Sequence, residues 1–163
     1  MIVVSPTDLR QIVDLCEAAY PSEACGLLVG HDDSGAAGRT VTVSSVEPSA
    51  NVSQGDTRST FEVDPALRLR LQKALRGGPE RVIGLYHSHP DSVAQPSATD
   101  LSAAWEPDLV WLVTAVIGGQ AVHTSAHVLE TEAGTMRFAQ VVLRTNDWRP
   151  YESREALPGS GLS

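Results

Sequence analysis

Two histidines and an aspartate in the middle of the chain have the spacing of metal ligands. His87 and His89 lie in the segment Tyr86-His87-Ser88-His89-Pro90, and Asp100 follows His89 after ten intervening residues. Two imidazoles and a carboxylate form a ligand set that suits zinc, and three protein ligands leave a fourth tetrahedral position for water. The sequence therefore predicts a catalytic metal site in which His87, His89 and Asp100 are the ligands.

The neighbouring elements are predicted to bring these side chains together. The apolar run at residues 82–86 is typical of a buried strand. Residues two apart on a strand point to the same face, so both histidines aim at one point where the strand ends. Ser97 begins a Ser-x-x-acid helix start, which places Asp100 in the first helical turn. In the simpler interpretation, Ser97 and Asp100 only cap a helix and the histidines mark a polar strand end.

The same residues resemble the signature of the JAMM (MPN-plus) metalloproteases. The motif is His-Ser-His-Pro at residues 87–90, six further residues, and then Ser97-x-x-Asp100. In that family an upstream glutamate completes the motif, and Glu23 stands at the matching position. The resemblance implies zinc as the cofactor, Glu23 as general base and acid, and Ser97 as a donor to the oxyanion. Helix capping and the oxyanion role are expected to compete for the single Ser97 hydroxyl.

The resemblance also implies a substrate class. The family cuts ubiquitin-like proteins after a C-terminal Gly-Gly, and its short bacterial and archaeal members process small β-grasp sulfur-carrier proteins. This chain of 163 residues lacks the large insertions of the eukaryotic relatives. The expected activity is therefore zinc-dependent hydrolysis of the amide bond after the Gly-Gly of such a carrier or its conjugate. The polar segment 47–60 is expected to border the groove that holds the carrier's C-terminal tail.

Three other functions stay open from the sequence. A non-catalytic MPN scaffold is a binding module whose metal ligands have been lost, whereas all five motif residues are present here. A zinc deaminase shares the sheet architecture but needs H-x-E and P-C-x-x-C elements, which this sequence lacks. A zinc peptidase acting on a small peptide unrelated to ubiquitin-like proteins is distinguished only by substrate tests. The same ligands also hold other divalent metals.

Composition limits the partners and the compartment. A net charge of −8 argues against nucleic-acid binding, which usually needs a basic patch. No apolar run approaches the ~20 residues of a membrane span, and the start lacks the features of a signal peptide. Cys16 and Cys25 form no CxxC pair or disulfide framework, and Cys25 is expected to pack in the core. The expected location is the cytoplasm, and the sequence does not indicate an oligomeric state.

The predicted fold class is α/β. Residues 1–143 are expected to form a single MPN-like (cytidine-deaminase-like) domain with one mixed, curved sheet flanked by helices. Residues 144–163 are expected to be a surface-bound or disordered tail, because apolar spacing fades there. The expected local elements include a strand at residues 23–30, a turn-rich loop at residues 31–38 and a short strand at residues 61–63. A strand at residues 121–129 is expected to carry His123 and His127 on a polar sheet face.

Overall fold

Eight strands form one curved, mixed sheet with three helices packed around it in the residues that the structure describes. The structure is a computed structural model, and it describes residues 1–145. The elements in chain order are β1 (Ile2–Val4), α1 (Pro6–Ala19), β2 (Cys25–Gly35), β3 (Gly38–Ser49), α2 (Pro65–Ala74), β4 (Arg81–Pro90), α3 (Ala98–Ala103), β5 (Val110–Ile117), β6 (Gln120–Glu132), β7 (Thr135–Val141) and β8 (Leu143–Thr145).

The sheet places β4 between β2 and β5. The strand order is β7-β6-β5-β4-β2-β3-β1-β8, and the pairs β4/β5, β1/β3 and β1/β8 are parallel while the others are antiparallel. This arrangement confirms the predicted α/β class with a mixed sheet. Because β4 has a strand on each side, its end is an interior position where side chains can be buried from water.

Each helix begins at a residue whose side chain accepts a hydrogen bond from the first turn. The acceptors are Ser5 for α1, Asp64 for α2 and Ser97 for α3. Such caps satisfy backbone N–H groups that have no partner within the helix. Proline at the first position of α1 and α2 also suits a helix start. The three caps are local features, and the cap of α3 at Ser97 lies where the sequence predicted it.

The two faces of the sheet carry separate apolar clusters. On one face α1 packs Ile12 and Cys16 against the strands, and on the other face α2 packs Leu67 against a cluster that includes Leu85 and Trp111. A close contact on the α1 side explains one glycine, because a Cβ at Gly26 would lie 2.4 Å from the Tyr86 ring. The end of β4 alternates between the two faces, so its two histidines share the face opposite α1.

The first hairpin is longer than predicted. The strand begins at Cys25, after Glu23, and it continues to Gly35, so most of the expected loop at residues 31–38 is paired backbone. Asp32 stabilises this extension, because its carboxylate binds Arg39 at 3.0 Å and Arg81 at 2.9 Å. The expected strand at residues 61–63 is also wrong, since only a single bridge, Asn51 to Val63, forms there.

The end of the described chain adds an edge strand. Strand β8 pairs in parallel with β1, and Thr145 is its last residue. Residues 146–163 of the expected tail lie outside the described residues. None of the helices among residues 1–145 combines the length and the apolar character that crossing a membrane requires.

Candidate metal and catalytic centre

Three predicted ligand atoms meet at one point beyond the end of β4. The Nε2 atoms of His87 and His89 lie 3.1 Å apart, and each lies 3.1 Å from Asp100 Oδ2. The histidines come from alternate positions of β4, and the aspartate comes from the first turn of α3. All three side chains are buried. The structure therefore brings together the three residues that the sequence selected as candidate ligands, and this group could hold a metal ion.

The hydrogen bonds of His89 indicate which of its two ring nitrogens carries the proton. Its Nδ1 lies 2.9 Å from the Val93 carbonyl oxygen, which can only accept, so Nδ1 carries the proton. In the neutral ring, Nε2 then presents a lone pair to the acceptor oxygen of Asp100. Two acceptors at 3.1 Å need a positive charge between them, which either a proton on Nε2 or a metal ion can supply.

The spacing of the three atoms fits a metal ion. Tetrahedral zinc with bonds of about 2.0–2.1 Å holds its ligand atoms about 3.3–3.4 Å apart, and the observed separations are 3.1 Å. The donor set of two imidazoles and one carboxylate is also a common zinc set. The residues present therefore fit a bound divalent metal.

Burial and hydrogen bonding shift the pKa values of the three candidate ligands in different directions. Burial alone would raise the pKa of Asp100, but hydrogen bonding with the two histidines outweighs it and lowers that pKa well below its usual range. Burial lowers the pKa of His87. Burial also acts to lower the pKa of His89, but contacts with Asp100 and Val93 produce a net increase. The Asp100 carboxylate is thus ionised, and it attracts a cation to the adjacent imidazoles.

Glu23 lies beside these atoms without joining them. Its Oε1 is 3.9 Å from His89 Nε2, and its Oε2 is buried without a hydrogen-bond partner. Burial raises the pKa of Glu23 to about 7; the Asp100 charge adds to this increase, while His89 opposes it. A carboxyl group with this pKa can both accept and return a proton near neutral pH.

The segment at residues 51–63 holds the backbone of Glu23 in place. The Glu23 N–H donates to the Thr57 carbonyl oxygen at 2.7 Å. The Asn51 side-chain amide makes four hydrogen bonds, to backbone atoms of Glu23, Ser53, Thr60 and Glu62. Sequence reasoning missed this role, because an asparagine in a polar loop is usually a turn residue. The segment is thus organised around the side-chain amide of Asn51, and it fixes the backbone of Glu23.

Ser97 takes part in a reciprocal cap with Asp100. Its Oγ accepts a hydrogen bond from Asp100 N at 3.0 Å, and Asp100 Oδ2 accepts one from Ser97 N at 2.7 Å. The cap uses a lone pair of the hydroxyl, so the hydroxyl proton stays available for a second partner. The expected competition between the capping and oxyanion roles therefore does not arise.

A groove lies beside the histidines. Phe61 stacks on the His87 ring with centroids 4.4 Å apart, and Trp111 meets the same ring edge-on at 5.7 Å. The groove has a volume of about 1130 Å³, and its lining runs from these two aromatic residues to α2 and to the residues after α3. Arg68 and Glu106 both line it and pair through two contacts of 3.0 and 2.6 Å.

Cys25 and Ser88 lie near the centre, but their surroundings indicate packing roles. Cys25 is buried, and burial raises the pKa of its thiol to about 12, which agrees with the predicted packing role. Ser88 points away from the histidines, and its Oγ accepts a hydrogen bond from Ala24 N at 2.8 Å. Neither side chain has the activated environment that a nucleophile requires.

The two histidines of β6 lie in different environments. His123 is exposed, whereas His127 is buried, so the expected polar sheet face applies only to His123. The Nε2 of His127 lies 2.8 Å from Ser125 Oγ on the same strand. Strand alternation could not show this difference, because it depends on the loop that covers one end of β6.

Comparison with known sequences identifies the family. The Prok-JAB family, described as prokaryotic homologs of the JAB domain, matches residues 6–138. A desampylase of Haloferax volcanii is 36% identical over 103 residues, which cover 63% of this chain and 69% of the relative. A CysO-cysteine peptidase of Mycobacterium tuberculosis is 29% identical over 108 residues, which cover 66% of this chain and 68% of the relative.

Solved structures have the same fold over most of the chain. A Desulfitobacterium hafniense protein matches with a TM-score of 0.70 and 26% identity, over 90% of this chain and 94% of that one. A Salinibacter ruber protein matches with a TM-score of 0.64 and 27% identity, over 88% and 91% of the two chains. With the family match over residues 6–138, these findings confirm the JAMM resemblance, and the chain belongs to the prokaryotic JAB-domain family.

Proposed function

We propose that this chain is a zinc-dependent peptidase that hydrolyses the amide bond after the C-terminal Gly-Gly of a ubiquitin-like sulfur-carrier protein or its conjugate. The main support is the convergence of His87, His89 and Asp100, with the Glu23 carboxyl 3.9 Å from one of them. Two relatives, a desampylase and a CysO-cysteine peptidase, support the reaction class and the kind of substrate.

In this proposal His87, His89 and Asp100 hold zinc, and Glu23 moves the proton. When bound, zinc supplies Lewis acidity, which lowers the pKa of a water molecule to about 7 and polarises a carbonyl group. Glu23 accepts a proton from the attacking water and later donates it to the leaving amine. Its position next to the candidate ligands, with one buried and unpartnered oxygen, suits this transfer.

Ser97 is the proposed donor to the oxyanion of the tetrahedral intermediate. Its hydroxyl proton is not used by the helix cap, and the cap fixes the position of its oxygen. Loss of one such donor typically lowers kcat by about 10²–10³-fold. Ser97 thus orients a ligand through its backbone and stabilises developing charge through its side chain.

The groove beside His87 is the proposed site for the carrier's C-terminal tail. Its floor is apolar and includes Leu27, Leu85 and Trp111, while Ser53 and Glu62 of the segment 51–63 line one side. Trp105 lines the groove with 81% of its surface exposed, and it can cover an extended chain. These features suit an extended chain with apolar side chains.

A cleavage assay tests the proposal. A small Gly-Gly-ended sulfur-carrier protein from the same genome is extended at its C-terminus and incubated with the chain, with and without a chelator. Mass spectrometry should show cleavage after the second glycine, which chelation stops and zinc restores. A carrier whose second glycine is replaced by proline is the matched substrate control and should stay intact.

The other outcomes identify the competing functions. Equal cleavage of unrelated peptides would indicate a zinc peptidase with no preference for ubiquitin-like proteins. A chain that binds zinc and the carrier but cleaves neither the carrier nor peptides would be a binding scaffold. A chain that binds no divalent metal would contradict the proposed centre itself.

A further inference from the structure

We infer that Ser125 and His127 of β6 are positioning residues that act on the His89 ring through the loop at residues 91–95. The inference rests on the proposed metal centre, in which His89 is a ligand. Neither residue touches that centre. Both are buried on strand β6, and Ser125 contacts the loop at the Ala94 carbonyl.

The hydrogen bonds of these two residues have a single possible direction. Ser125 Oγ donates to the carbonyl oxygen of Ala94, which can only accept. The one hydroxyl proton is then used, so His127 Nε2, at 2.8 Å, must donate to the Ser125 oxygen. Burial is the main cause of the lowered pKa of His127, which favours the neutral ring, and the contact with Ser125 then places its one proton on Nε2.

This series of hydrogen bonds ends at the Ala94 carbonyl, one peptide unit from the carbonyl that contacts His89. The next carbonyl toward the N-terminus, that of Val93, accepts the Nδ1–H of His89 at 2.9 Å. Two successive carbonyl groups of the loop are therefore fixed, one by Ser125 and one by the candidate ligand. The Val93 side chain is 64% exposed and anchors the loop little, whereas the neighbouring Ala94 is buried. The inward hydrogen bond at Ala94 acts with this burial to keep the Val93 carbonyl aimed at the ring.

Packing alone does not account for the polarity of the pair. A buried polar group left without a partner destabilises the fold, whereas a pair of apolar groups of the same shape is often neutral. On this face, Trp111 lies opposite His127 on β5 and Leu129 follows it on β6, and both are apolar. Ser125 and His127 together satisfy one carbonyl oxygen, and that carbonyl belongs to the loop that orients His89.

The expected effect is on metal affinity. Loss of the groups that orient a ligating histidine typically lowers metal affinity by about 10–100-fold. We expect a decrease of about 10-fold for Ser125→Ala and for His127→Leu, because the Val93 carbonyl then loses its fixed direction. His127→Gln should bind zinc nearly as well as the wild type, since glutamine carries an N–H donor near the position of the imidazole Nε2.

The experiment measures the zinc Kd of the full chain by competition with a chromophoric chelator, together with thermal unfolding of each variant. Thr124→Val is the matched control. Thr124 lies on β6 beside Ser125, and its loss removes a 2.9 Å hydrogen bond to Thr114 of β5 and no hydrogen bond to the loop. Long-range ¹H–¹⁵N spectra of the metal-free proteins report which nitrogen of His89 carries the proton.

Weaker zinc binding by Ser125→Ala and His127→Leu, with near wild-type binding by His127→Gln and Thr124→Val, supports the inference. The spectra should then show the Nδ1–H form of His89 in the wild type and a mixture of tautomers in Ser125→Ala. Wild-type affinity in both Ser125→Ala and His127→Leu, or an equal loss in Thr124→Val, would overturn it. If the wild type binds no zinc, the metal centre fails, and an unchanged His89 tautomer in the variants would overturn the positioning role separately.

Discussion

The two faces of the central strands bury very different polar groups. On the α1 face the buried polar side chains are neutral, as with Ser88, which binds Ala24 N, and Thr114, which bonds Thr124. On the opposite face lie two carboxyl groups and three imidazoles, those of Glu23, His87, His89, Asp100 and His127. Burying ionisable groups is costly unless they are paired or bind a metal. One face therefore serves packing, and the other carries the candidate metal and catalytic centre.

The largest expected effect comes from replacing Glu23, the proposed proton carrier on the face opposite α1. Glu23→Gln should lower kcat by about 10²–10⁴-fold, because the amide cannot accept the water's proton. Zinc content by atomic absorption should stay at the wild-type value, since Glu23 is not among the proposed ligands. The exposed Glu130→Gln is the control for loss of one negative charge. Turnover within a few-fold of wild type for Glu23→Gln would contradict the assigned role.

Ser97→Ala should lower kcat by about 10²–10³-fold, through loss of the oxyanion donor. It also removes the cap of α3, so the effect of losing a helix cap must be measured separately from the effect of losing the oxyanion donor. Ser5→Ala serves as this control, because Ser5 caps α1 and is not among the candidate site residues. Both variants should lose about 1 kcal/mol of stability, but only Ser97→Ala should lose turnover. Equal kinetics in the two variants would assign Ser97 to helix capping alone.

Glu23 should also make the metal-free protein less stable at high pH. Its folded pKa of about 7 exceeds the ordinary value of 4.5, so between these values the folded state holds a proton that the unfolded state has lost. Stability therefore falls as pH rises through this window. Glu23→Gln removes the effect and should raise the unfolding free energy by about 3 kcal/mol at pH 8, with no gain at pH 4.

Urea unfolding of chelator-treated protein at the two pH values measures this difference. A bound metal cation lowers the pKa of a neighbouring carboxyl, so the gain should shrink in the zinc-loaded protein. A Glu23→Gln variant that is equally destabilised at both pH values would mean that the glutamate contributes packing rather than a buried charge. In that case, the contrast between the two faces would lose its electrostatic basis.

The smallest expected effect concerns the residue that holds Glu23. Asn51→Asp removes the amide donor to the carbonyl oxygens of Glu23 and Thr60 but keeps an acceptor oxygen. We expect kcat to fall about 10-fold with zinc affinity unchanged, because of the two hydrogen bonds lost only the one to Glu23 acts directly on the proposed proton carrier. Gln54→Glu makes the same amide-to-carboxylate change at an exposed position of the loop. If both variants lose turnover equally, the added charge is responsible and not the hydrogen bonds.

Features that depend on residues close in sequence could be predicted. The three helix caps, the alternation that pairs His87 with His89, and the reciprocal contact of Ser97 with Asp100 each involve residues within a few positions of one another. The mixed sheet followed from the order of the predicted elements. The placement of Glu23 came from the family resemblance, because nothing local distinguishes it from an exposed acidic residue before a strand.

Features that depend on contacts between distant segments could not be predicted. Phe61 lies in a run that resembles a strand, but its ring packs on His87 and its segment is held by Asn51. Ser125 and His127 have the alternation of an ordinary strand, and their partner, the Ala94 carbonyl, is 31 residues from Ser125. In both cases the role of the residue depends on a contact with a main-chain group or a ring that is distant in sequence. The pattern of a single sequence carries no information on such contacts.

The reciprocal cap of α3 has a consequence for how long a bound ion stays. The helix has six residues, too few to persist alone, and its first turn depends on Ser97 and Asp100. The same Asp100 oxygen faces both histidines. Fraying of this helix end therefore withdraws one ligand while β4 stays intact. For an ion in the proposed centre, we expect local opening at residues 97–103 to set the residence time, because such opening is faster than global unfolding.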